Sequence, residues 1–135
     1  MLLAEFFERA GLAGVVSLVK MDGPRPRNKW TVHLSKPPYV GEYWMSGGDF
    51  TTLDRGLASA RRALGELPGD WSWLDEPISD ADAYAELFEA VGETGELFIV
   101  QYSAESKWVS YAGGAQRSCA TLDECVENGL AELGW

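Results

Sequence analysis

Tyr84-Ala-Glu-Leu-Phe-Glu-Ala-Val-Gly-Glu-Thr-Gly-Glu-Leu-Phe-Ile-Val-Gln101 echoes Leu3-Ala-Glu-Phe-Phe-Glu-Arg-Ala-Gly-Leu-Ala-Gly-Val-Val-Ser-Leu-Val-Lys20 at a constant offset of 81. Seven of the eighteen positions are identical, Ala4/Ala85, Glu5/Glu86, Phe7/Phe88, Glu8/Glu89, Gly11/Gly92, Gly14/Gly95 and Val19/Val100, and most others exchange apolar for apolar. The echo continues as Lys29-Trp30 and Lys107-Trp108, then as Thr52-Leu53-Asp54 and Thr121-Leu122-Asp123, with the offset falling to 78 and then to 69. A repeat at a fixed period is read before anything else, because it sets the architecture. Here it predicts an internal duplication whose second copy has shorter connections.

In the first copy, Leu3, Phe6, Phe7 and Ala10 form one apolar stripe at helical spacing, and Gly11 and Gly14 end the helix. A β-branched strand over 15–21 follows, then Asp22-Gly-Pro-Arg-Pro-Arg-Asn28, which its prolines keep out of regular structure. Trp30, Val32 and Leu34 alternate with Thr31 and His33 on a second strand over 29–35. A third is expected over 39–45, bounded by Pro37-Pro38 and by Gly47-Gly48. Thr52 caps a second helix with the stripe Leu53, Gly56, Leu57, Ala60, Leu64. In the second half, Ser79 is the expected cap of a helix striped by Tyr84, Leu87, Phe88 and Val91. Strands are expected over 96–102, 107–111 and 116–119, then a helix over 121–133 opened by a Thr121-x-x-Glu124 capping box.

The fold class is therefore α+β. Two α-β-β-β-α units span residues 1–67 and 79–135, each an antiparallel three-stranded sheet with its helices on one face, joined by a connector over 68–78. Units of this size bury only about 60% of their unfolded surface, so the two are expected to pack together. Trp71, Trp73 and Leu74 fit a plug at that contact better than a flexible linker; exposed, the two tryptophans would be a partner site. Tyr39, Tyr43, Trp44, Tyr102, Trp108 and Tyr111 exceed what one buried face of each sheet needs. They face solvent or a partner, or else the sheets stack or join edge to edge.

The element order resembles the double-stranded-RNA-binding-domain fold, repeated in tandem. Gly23-Pro24 stands where that family has its Gly-Pro loop, and Gly-Gly-Asp-Phe-Thr-Thr-Leu-Asp-Arg55 stands where it has a glycine and a lysine-opened helix. The family's loop histidine and lysine cluster have no counterpart. The loop offers Arg25, Arg27 and Lys29, the helix opens with Thr52 to Arg55, and the second copy has Asp123 and Glu124 at its helix start. The resemblance implies the fold and not RNA binding.

Charge sets the partner class. Residues 1–62 carry a net +3, residues 63–106 carry eleven acidic and no basic side chains, and residues 107–135 carry −2, which together give −10. Such a block is either a solvated acidic surface or a face that meets a basic partner. Phosphates would be repelled by it.

No constellation reads as catalytic or metal-binding. His33 is the only histidine and no Ser-His-Asp, Cys-His or Cys-x-x-Cys pattern accompanies it. No cofactor or metal is expected. Cys119 and Cys125, with no leader at Met1-Leu-Leu-Ala-Glu5, are expected as reduced thiols of a cytoplasmic protein without a membrane span.

The reading is a non-enzymatic protein-binding protein whose partner presents a basic surface, with Asp70, Asp75, Glu76, Asp80, Asp82, Glu86, Glu89 and Glu93 in the contact and its oligomeric state open. In size and charge it resembles inhibitors encoded by phages and mobile elements, anti-CRISPR and anti-restriction proteins among them, which block a nucleic-acid-handling enzyme by occupying its phosphate-binding surface. The alternatives are a nucleic-acid binder acting through Arg25, Arg27 and Lys29, and an immunity protein or antitoxin. Charge reversal at Asp75, Glu76, Asp80 and Asp82 is expected to abolish binding at a nearly unchanged melting temperature.

Overall fold

The computed structural model describes residues 1–37 and 44–135. The elements are α1 (Leu3–Leu12), β1 (Val16–Asp22), β2 (Trp30–Lys36), β3 (Trp44–Phe50), α2 (Leu53–Gly65), a single 3₁₀ turn (Ser72–Asp75), α3 (Ala81–Glu93), β4 (Leu97–Ser103), β5 (Lys107–Ala112), β6 (Ala115–Cys119) and α4 (Leu122–Glu132). The six strands form one antiparallel sheet in the order β3-β2-β1-β4-β5-β6. Where two three-stranded sheets were expected there is one sheet of six. The reason is the edge: β1 and β4 would each end a three-stranded sheet on an apolar strand with unpaired backbone groups, an invitation to pair. They pair with each other over six residues, from Ser17 opposite Tyr102 to Asp22 opposite Leu97.

The four described helices all lie on one face of this sheet. Val19 and Met21 of β1, Trp30, Val32 and Leu34 of β2, Phe98, Val100 and Tyr102 of β4, and Trp108 of β5 share one core with Phe6, Phe7, Leu57, Leu64, Phe88, Val91 and Val126 from the helices. The first helix of each half reaches across to the other half. Phe7 of α1 meets Trp108 of β5 edge-to-face at 6.5 Å, while Phe88 of α3 stacks on Trp30 of β2 at 5.6 Å. Two glycines allow this approach. A Cβ on Gly11 would sit 2.5 Å from the Tyr102 ring, and one on Gly92 would sit 2.6 Å from the Met21 sulfur.

Three local expectations are corrected. The described part of the third strand runs from Trp44 through Gly47-Gly48 to Phe50; the expected residues 39–43, Tyr39 and Tyr43 among them, lie outside the described residues. The glycines do not stop it, because Gly47 lets the His33 ring of the neighbouring strand lie across it, where a Cβ would come within 2.6 Å. Ser79 does not cap α3. Its N–H and hydroxyl both donate to the Met1 carbonyl, at 2.9 and 3.4 Å, and Asp80 takes the N-cap position. Cys119 and Cys125 are not free thiols but a disulfide, with Cα atoms 5.3 Å apart, because the turn after β6 folds the first turns of α4 back onto the strand end. Thr121 caps α4 as expected, accepting from the Glu124 N–H at 3.1 Å, while the Glu124 carboxylate accepts from the Ala120 N–H at 3.0 Å.

The disulfide closes a short loop, worth about 2 kcal/mol by chain entropy. The Cys119→Ser, Cys125→Ala double variant is expected to unfold in urea with a stability lower by about that amount. An unchanged midpoint would mean the bond constrains nothing.

Candidate interaction surface

Helix α3 supplies the centre of the surface. Its inward stripe, Ala81, Phe88, Val91 and Gly92, is buried on β1 and β4, which turns Asp82, Glu86, Glu89 and Glu93 outward. Helix α4 continues the surface with exposed Asp123, Glu124 and Glu127. The Tyr84 hydroxyl of α3 donates to the Asp123 carboxylate of α4 and ties the two helices together at their amino ends. Burial, and after it that carboxylate, pushes the Tyr84 phenol well above its ordinary range, so it stays a donor. Neither helix contains a lysine or arginine.

The eight acidic residues expected in the contact divide in two. Four are engaged within the protein. Asp80 accepts from the Leu3 N–H at 2.7 Å, and so caps α1 from the other half of the chain while sitting at the amino end of α3; Leu2, at the N-cap of α1, offers no side-chain cap of its own. Glu76 meets Arg9 at 3.5 Å and the terminal ammonium at 4.0 Å, and its carbonyl accepts from Arg61 at 3.1 Å. Glu89 accepts from the Trp30 indole N–H at 3.3 Å. Asp70 accepts from the Ser72 N–H at 3.1 Å, which holds its carboxyl below the ordinary carboxylate range. The other four, Asp75, Asp82, Glu86 and Glu93, are exposed and have no partner among the described residues.

The expectation that reversing Asp75, Glu76, Asp80 and Asp82 would spare the melting temperature is therefore corrected. Asp80 and Glu76 hold α1 and its amino end in place, and reversal there removes a helix cap and an ion pair.

Trp71 and Trp73 are half-buried. Trp73 packs on Phe6 of α1 at 5.6 Å, with the Arg9 guanidinium over its ring at the same distance, and Trp71 donates its indole N–H to the Leu67 carbonyl at 2.9 Å. Their outer edges line a groove of about 350 Å³ with Leu12, Pro68 and Asp70. They seal α1 against the connector and still present ring edges to solvent.

The basic residues fare differently. Arg25 is consumed internally: it bridges Asp22 at 3.2 Å and Asp49 at 3.0 Å and donates to the Asn28 carbonyl at 3.0 Å. Asp49 in turn accepts from the Thr31 hydroxyl at 2.7 Å, and that bond first, the arginine after it, lowers its carboxyl from the ordinary range. Arg27 and Lys29 have no partner among the described residues, but they line a groove of about 320 Å³ whose opposite wall is Glu89 and Glu93. A phosphate entering there meets two carboxylates.

Residues that sequence reasoning missed are Asp123, Glu124 and Glu127. Their charge was visible, but nothing local shows that Asp123 of α4 meets Tyr84 of α3 at the amino ends of the two helices. No group of three or more His, Cys, Asp or Glu among the described residues is arranged to hold a metal ion. No described helix is long and apolar enough to cross a membrane. No protein-family model matches the chain, and no curated protein or solved structure matches it.

The division into engaged and free carboxylates predicts different costs. Asp80→Ala is expected to lower stability by about 1 kcal/mol through loss of the cap. Asp82→Ala, one turn into solvent, is expected to change it by less than about 0.5 kcal/mol. Chemical denaturation of the two variants checks this, and equal costs would contradict the assignment.

Proposed function

We propose that the chain is a non-enzymatic binding protein whose acidic helical face occupies a basic, phosphate-binding surface on a protein partner. The observation that carries this reading is the acidic outer face of α3 and α4, where the side chains of Asp82, Glu86 and Glu127 stand exposed with no partner among the described residues and no cation on either helix. Maintaining like charges side by side costs stability unless a partner neutralises them, and complementary charge speeds encounter and fixes register. Inhibitors of nucleic-acid-handling enzymes and immunity proteins both work this way, and the identity of the captured protein separates them. Binding in the cytoplasm belongs to this proposal and requires the Cys119–Cys125 pair to be reduced there, which thiol labelling of the protein from cells checks.

We also read the two halves as copies of one α-β-β-β-α unit. Support comes from the offset identities and from the matched placements Phe7 on Trp108 and Phe88 on Trp30, Gly11 on Tyr102 and Gly92 on Met21. Direct nucleic-acid binding is the weaker reading, since Arg25 is spent on Asp22 and Asp49 and since Glu89 and Glu93 face Arg27 and Lys29.

The test is affinity capture from host lysate, with and without nuclease, using the wild type and the Asp75→Lys, Asp82→Lys, Glu86→Lys, Glu93→Lys variant. A specific protein retained after nuclease by the wild type and lost by the variant, whose melting temperature stays close to wild type, is the expected result. Capture that disappears with nuclease would move the contact to Arg27, Lys29 and nucleic acid.

A further inference from the structure

The helices cover one face of the sheet, and among the described residues no helix covers the other. In an antiparallel sheet with one wet face, outward positions are ordinarily polar. Here the central strands break that alternation. Leu18 of β1 and Ile99 of β4 point outward and are half-exposed, Leu97 is 42% exposed, and Tyr111 of β5 stands beside Ile99 at the same level of the sheet. Val109, one register step along β5 and opposite Gln101, is on the same side but is already buried by its neighbours and adds no exposed surface. The pattern is an apolar band across β1, β4 and β5 on the side away from the core.

Charge says what this band meets. The chain carries −10, and α3, α4 and the connector together hold eleven carboxylates and no lysine or arginine. The open face is nearly neutral: Lys20 lies 3.8 Å from Asp22, Arg25 bridges Asp22 and Asp49, and Lys107 on β5 leaves one cation in excess. Two copies that approach helix layer to helix layer repel, whereas two copies that approach on this face do not. A basic partner has no charge to complement here. The extent is sufficient as well. Six strands about 4.8 Å apart and about 20 Å long present roughly 600 Å². That places a face-to-face pair at about 1,200 Å² in total, the lower bound of stable interfaces.

We propose that the open sheet face binds the same face of a second copy, giving a twofold dimer of back-to-back sheets with an acidic helix layer on each outer side. A twofold contact uses one self-complementary patch on both subunits, which a nearly neutral face with an apolar band supplies. Aligned sheets pack about 10 Å apart with their outward side chains interdigitated. The inference does not depend on the identity of any other partner.

Sedimentation equilibrium of the full chain, up to about 100 μM, reads it, since an interface of this size is populated there if it forms. Wild type is expected as a dimer. Leu18→Lys with Ile99→Lys is expected as a monomer with an unchanged near-ultraviolet circular dichroism spectrum. Asp82→Lys with Glu86→Lys, on the helix layer, is expected to stay dimeric. If the lysine pair fails to fold, Leu18→Thr with Ile99→Thr gives the same reading, with a dimerisation constant weakened at least tenfold. A monomeric wild type at the highest concentration would overturn the proposal and leave this face to solvent or to another protein. Dimers that survive both sheet variants would overturn it in favour of strand edges or the helix layer.

Discussion

The pairing of β1 with β4 is the constraint on which the rest of the structure depends. It joins two sets of three strands into one sheet, removes two apolar edges and fixes where every helix must lie. Once the strands are in that register, the core-facing positions Val19 and Val100 are direct neighbours, and one apolar layer runs from Trp30 to Trp108. Each half alone is marginal, since a unit of about 60 residues buries only about 60% of its unfolded surface. The crossing of α1 and α3 completes the junction. Each helix leaves its own half to cover an aromatic of the other, and Asp80 caps α1 from a distance of 77 residues.

The electrostatic character of the surface follows from this arrangement. The basic segment of the chain, residues 1–62, is placed mainly in the sheet and α2, where Arg25 is neutralised by Asp22 and Asp49 and Arg61 lies over Phe6 and donates to the Glu76 carbonyl. The segment without any cation forms α3 and the connector, and the sheet order sets α4 next to it. An acidic layer and a nearly neutral sheet face thus end up on opposite sides of one body. Partner binding through the first and self-association through the second are separate proposals because they rest on separate surfaces.

Much of the fold was legible because the signals are local. The helical stripes, the period-two strands and the Thr52 and Thr121 caps are each fixed by residues within a few positions of one another. What was not legible was every choice made at long range. Strand pairing between halves depends on two edges being equally apolar, which composition shows but does not assign. Gly47 and Gly48 read as a stop and are instead a place where a ring crosses a strand. Glu76, Asp80 and Glu89 read as free surface charge, and each has a partner at least 59 residues away. The cysteine pair was misread because the six-residue spacing is silent about a turn that folds the helix back onto the strand.

Residues 1–67 and 68–135, expressed separately and then mixed, are to be compared by two-dimensional amide NMR. Each half alone is expected to give a collapsed, undispersed spectrum, and mixing is expected to restore a dispersed, native-like one, because β1 and β4 complete each other and α1 and α3 each pack on the opposite half. A half that alone gives a dispersed spectrum as a monomer would contradict that expectation, and would make the two halves independent modules with independent surfaces.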